Sequence, residues 1–139
     1  MSNWTHVAGI IRIDDIRFDN NLPNFDKLIG KECLFESSSE IWNEMEIHPH
    51  DFLPMGSEGS LEKSVWINPD KSCMSAYTIS IFGDLRDHDN PNKIIEWFKN
   101  KIKDILKDYV VRQAVITVDN ERNGTKNWSF DFDNFEINT

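Results

Sequence analysis

The chain has 139 residues, with 24 acidic against 15 basic side chains and a net charge of −9; that balance argues against nucleic acid, whose binders concentrate basic charge to displace counterions from phosphate. Apolar residues make up 39% of the chain and charged residues 28%, enough apolar content to close a core and to exclude disorder. No window reaches the ~18 consecutive apolar residues of a membrane span, and Met1-Ser2-Asn3-Trp4-Thr5-His6 lacks the basic-then-apolar order of a secretion signal, so a cytoplasmic chain without a membrane partner is expected.

The length fits one domain over residues 1–139. Cys33 and Cys73 are too far apart in sequence to form a metal pair by spacing, and without a secretion signal both are expected reduced. Ten Lys against five Arg, with many Ile and Asn, points to AT-rich coding, as in a low-GC bacterium or its phages.

Residues 4–13 read as a first strand, with Val7, Ile11 and Ile13 on one face at period two. Residues 14–60 are the least regular. Asp14-Asp15, Asn20-Asn21 and Pro23 mark turns, and Phe25, Leu28 and Ile29 predict a short helix near 24–31. A second short helix is predicted near 38–46, starting at one of Ser37 to Ser39 and burying Ile41, Met45 and Trp42. Pro49 and Pro54 are expected to exclude regular structure between them, and residues 55–60 read as a loop.

From residue 61 the pattern sharpens. Leu61, Val65 and Ile67 alternate, Asn68-Pro69-Asp70-Lys71-Ser72 is a turn, and residues 75–82 form a second strand of the hairpin with Tyr77, Ile79 and Ile81 on one face. Residues 83–90 read as a strand-to-helix loop. Asn90 or Asp89 caps the following helix, Pro91 takes its first position, and Ile94, Ile95, Trp97, Phe98, Ile102, Ile105 and Leu106 form its apolar stripe to about residue 108. Five lysines on its other side read as solvent-facing. Residues 110–118 are the next strand, Asn123-Gly124 the strongest element of a turn, and Trp128, Phe130 and Phe132 alternate with polar residues as a half-buried strand. The sum is an α+β fold: a five-stranded, mostly antiparallel sheet with one long amphipathic helix packed on one face. Its element order corresponds to a split βαβ, ferredoxin-like sandwich with an extra edge strand.

The chain offers little catalytic chemistry. Gly56-Ser57-Glu58-Gly59-Ser60 has no strand before it, and Glu58 opposes a phosphate, so it is no phosphate cradle. His48-Pro49-His50-Asp51 and Asp84-Leu85-Arg86-Asp87-His88-Asp89 contain metal-ligand types without a metal-site spacing; the second run also suits a helix N-terminus on electrostatic grounds alone. No metal, cofactor or catalytic residue is assigned, and the balance leans away from an enzyme.

Charge distribution is more informative. Between Lys31 and Lys63 stand eight carboxylates (Glu32, Glu36, Glu40, Glu44, Glu46, Asp51, Glu58 and Glu62) and no basic residue, interleaved with Trp42, Met45, Phe52, Leu53 and Met55. Carboxylates for steering and apolar anchors for affinity suit a basic protein partner. Segment 32–62, with Glu40, Trp42, Glu44, Glu46 and Phe52 as contacts, therefore predicts a non-catalytic interaction protein, comparable in role only to small inhibitors and toxin-neutralising immunity proteins. Exposed strand edges add the expectation of a homodimer. The alternative is a binder of an anionic, nucleotide-like small molecule, or a modest enzyme, with its site at the 83–90 loop and Arg12, Tyr77, Asp84, Arg86, His88 and Arg112 as polar groups.

Overall fold

A computed structural model describes residues 2–15, 22–68, 75–88 and 90–131. Asn20-Asn21, most of the 68–72 turn, Cys73, Asp89, Phe132, Asp133 and the tail lie outside the described residues. Strand β1 (Trp4–Asp15) leads through helix α1 (Phe25–Leu28), helix α2 (Ser39–Ile47), a single 3-10 turn (Pro49–Asp51) and the two-residue strands β2 (Met55–Gly56) and β3 (Gly59–Ser60). Strands β4 (Glu62–Ile67) and β5 (Ser75–Arg86), helix α3 (Pro91–Ile105), and strands β6 (Val110–Asn120) and β7 (Gly124–Asp131) complete the chain.

The main sheet has the order β4-β5-β1-β6-β7, every pair antiparallel. The first four strands thus have the order and sense of a split βαβ, and β7 is the additional edge. β1 lies at the centre because its alternating Val7, Ile11 and Ile13 bury against both neighbours' Ile79, Ile81, Ala114, Ile116 and Val118. One extra residue, Arg112, interrupts the β1–β6 register between Arg12 and Ile13. This bulge leaves Arg112 and Gln113 both exposed while restoring Val111 and Ala114 to the core.

Helix α3 forms where Asn90 caps it, its side chain accepting from Asn92 N at 3.0 Å, with Pro91 following. Ile94, Ile95, Phe98, Ile102 and Ile105 face the sheet, packing over β6 and β7. Phe98 meets Trp128 edge to face at 5.8 Å. Lys99 lies over the outer side of that indole, 5.9 Å from its centroid, so not every lysine of the helix is purely solvated. Over β4 and β5 the cover comes instead from the irregular segment: Phe25 meets Tyr77 edge to face at 5.5 Å, and Ile29, Leu53 and Leu61 join the same core.

The structure departs from the sequence reading in several places. β5 continues to Arg86 because β1 pairs with it along its whole length, Trp4 opposite Arg86; the strand-to-helix loop shrinks to residues 87–90. Residues 55–60 form a small β2–β3 hairpin rather than a loop. Pro49 starts a 3-10 turn, which a proline at the first helical position permits. α2 forms under its Ser38 cap, but Ile41, Trp42 and Met45 reach only half-burial because the helix lies outside the core.

Candidate functional site

The acidic segment is tied down at its ends. Lys31 N donates to Asp51 O and Leu53 N to Lys31 O, both at 2.9 Å; Cys33 N donates to Ser60 Oγ at 2.7 Å and Ser60 N to Cys33 O at 2.8 Å. These bonds draw Ile29, Cys33, Phe52, Leu53 and Leu61 into the interior. Cys33 is a free thiol, and burial raises its pKa. Glu32 takes the Lys63 amide at 3.0 Å at the outer edge of the sheet, and the Lys63 ammonium turns inward to Gly30 O at 2.9 Å and Asp26. Lys63 is thereby a satisfied cation, its long stem covering apolar surface.

Between these ties, residues 35–48 have no strand partner and project as α2. Ser38 Oγ accepts from Ile41 N at 3.4 Å, which starts the helix. Ile41, Trp42 and Met45 turn towards the body. On the outside, Ile47 is 70% exposed and Phe35, just before the helix, 75%. In the same stretch of chain Glu36, Glu40, Glu44 and Glu46 are all exposed. Glu44 reaches Lys31 Nζ at 3.6 Å; Glu36, Glu40 and Glu46 engage no side-chain partner among the described residues.

Of the contacts expected on this surface, Glu40, Glu44 and Glu46 are exposed, Trp42 is half-buried, and Phe52 is withdrawn. Phe52 is 3% exposed, with Lys31 Nζ 5.8 Å from its ring centroid. It is a core anchor, since an aromatic ring between two backbone ties gains more from burial than from solvent. The sequence reading did not single out Phe35 and Ile47 as anchors. Neither lies on a periodic stripe, so only the absence of a facing element reveals them.

The six groups of the anionic-ligand alternative do not converge. Arg12 and Arg112 lie at one end of the open sheet face, where Arg12 Nε donates to Gln113 Oε1 at 3.1 Å and Arg112 pairs with Asp14. Asp84 and Arg86 lie on the same face, opposite His6 and Trp4, six and eight residues of β1 away from Arg12, roughly 20 and 26 Å at strand rise. Tyr77 is buried on the other face. His88 sits on the helix side, its carbonyl accepting from Thr5 Oγ1 at 2.6 Å and Asn120 Nδ2 at 3.2 Å. Arg86 is already neutralised by Glu58 at 2.8 Å and Asp87 at 3.8 Å, with Ser2 Oγ accepting from its Nε at 2.9 Å.

One further polar cluster stands at this end. His6 Nδ1 lies 2.6 Å from Asp84 Oδ1 and its Nε2 lies 3.5 Å from Glu121 Oε2. The Asp84 hydrogen bond, opposed by desolvation and assisted by Glu121, raises the His6 pKa. Among the described residues no hydroxyl or thiol joins the imidazole, so the cluster is an ionic clasp between β1, β5 and the β6–β7 turn rather than a nucleophile–base pair. No family model, curated protein or solved structure matches the chain, so the site is defined by its geometry alone.

Proposed function

We propose that the chain is a non-catalytic interaction protein that holds a basic macromolecular partner against the outer face of α2. The observation that carries this reading is the exposure of Phe35, just before α2, and of Ile47, at its end, in a stretch that also exposes Glu36, Glu40, Glu44 and Glu46 and whose helix buries no residue. A monomeric fold gains nothing from leaving two large apolar side chains in water in an acidic stretch of chain. A partner with lysines or arginines around an apolar hollow gains from both: the carboxylates steer the encounter, and the two anchors supply the desolvated contact. α2 is nine residues long, about 13 Å, so the patch suits a groove or a compact basic face rather than an extended chain.

The test begins with native mass spectrometry of the protein purified gently from its own host. A complex with a basic polypeptide supplies the partner. Titration of that polypeptide into the Phe35→Ala/Ile47→Ala variant is expected to weaken binding strongly, and raised salt is expected to slow association with the unaltered protein. Binding that is indifferent to both rules out the α2 face.

A further inference from the structure

We infer that the cleft between α3 and the segment following α2 is a binding site for a small organic carboxylate with an aromatic body. The cleft has a volume of about 430 Å³, within the range of pockets that enclose small ligands. One wall is apolar and adaptable: Met45, Pro49, Phe52 and Met55. Thioethers, prolines and a phenyl ring favour a flat aromatic body over a polar one.

The other wall is α3. Lys93, Trp97 and Lys101 are spaced by four residues, so they form one row along the helix and all line the cleft. Neither lysine forms an ion pair among the described residues. Asp104, at the end of the row, is occupied by Lys107 at 3.4 Å. Trp97 also lines the cleft, and its buried indole N–H has no acceptor among the described residues, a costly state for a donor. His50, His88 and Asn100 complete the polar lining. Two ammonium groups without an ion-pair partner among the described residues, set across from an apolar wall, call for an anion. The protein carries a net charge of −9, and charges more than ~8 Å from the two ammonium groups are largely screened at physiological ionic strength. This site is independent of the outer face of α2, and neither Phe35 nor Ile47 lines it.

The experiment follows the indole N–H cross-peaks of ¹⁵N-labelled protein, with the Trp97 peak identified by its loss in Trp97→Phe. 2-Naphthoate and 2-naphthamide, which share a shape and differ in charge, are titrated separately. Naphthoate is expected to move the Trp97 peak saturably. Naphthamide, and naphthoate with the Lys93→Met/Lys101→Met variant, are each expected to bind about tenfold more weakly, the combined effect of two partly exposed charges. A Trp97 peak unmoved up to the solubility limit of naphthoate overturns the proposal. So do equal affinities for the acid and the amide on the unaltered protein, a comparison that does not depend on the variant folding.

Discussion

Replacing Glu40, Glu44 and Glu46 together by Gln separates a charge kept for a partner from a charge kept for the fold. Among the described residues only Glu44 of the three has a side-chain partner, Lys31 at 3.6 Å, with both side chains about half exposed; such a pair contributes about 0.2–1 kcal/mol. Glu40 lies in the first turn of α2, where a negative charge gains about 0.3–1 kcal/mol from the helix dipole, and Glu46 lies in the last turn, where it loses a similar amount. Glu40 and Glu44 are also like charges four residues apart, so neutralising them recovers about 0.2–0.5 kcal/mol. These terms nearly cancel, and the triple variant is expected to unfold within about 1 kcal/mol of the parent in urea. Its net charge moves from −9 to −6, and its association with a basic partner is expected to be slower and less dependent on salt. A stability loss above about 2 kcal/mol refutes the assignment of these carboxylates to the surface. Unchanged stability with unchanged association and salt dependence refutes their role in docking.

Three other outcomes follow from the packing and the charges. Phe98→Ala empties a fully buried site against Trp128 and is expected to cost about 3–5 kcal/mol, read from the urea midpoint; a cost near that of a surface change contradicts the seating of α3. Gly56→Ala places a Cβ 2.5 Å from Arg86 O and 2.7 Å from Arg86 N, both backbone atoms. The β2–β3 hairpin must then lift from β5, and hydrogen exchange at the Ser57 amide, which donates to Arg86 O at 2.9 Å, is expected to accelerate. His6 has a folded pKa above 6.5, chiefly through Asp84. Its contribution to stability is therefore complete below 6.5 and lost as pH rises through the folded value. The stability difference between the parent and His6→Gln is expected to narrow as pH increases from about 6 to 8; a difference that is flat or widens contradicts the clasp.

Features that depend on neighbouring residues alone were legible in the sequence. Asn90-Pro91 and the Ile94, Ile95, Phe98, Ile102, Ile105 stripe specify α3, because capping and the 3.6-residue period act over one or two turns. Trp128 and Phe130 alternate with polar residues and bury as that period requires, and Gly124 takes the positive φ of 84° that its turn needs. The element order suits a split βαβ with an extra edge, but the strand order β4-β5-β1-β6-β7 is set by pairings between segments distant in the chain.

What the tertiary structure alone decided depends on partners distant in the chain. Gly83 and Asp84 look like turn residues, yet they belong to β5 because β1 hydrogen-bonds alongside them through Arg86. Phe52 and Ile47 are both apolar residues in an acidic segment, and composition treats them alike. Phe52 is drawn inside by the backbone bonds of Lys31 to residues 51 and 53, whereas Ile47 finds no element opposite and stays in water. The lysines of α3 likewise acquire a cleft only because the segment after α2 folds back across from them. Burial is set by which surfaces meet, and that depends on contacts between residues tens of positions apart, which no local pattern encodes.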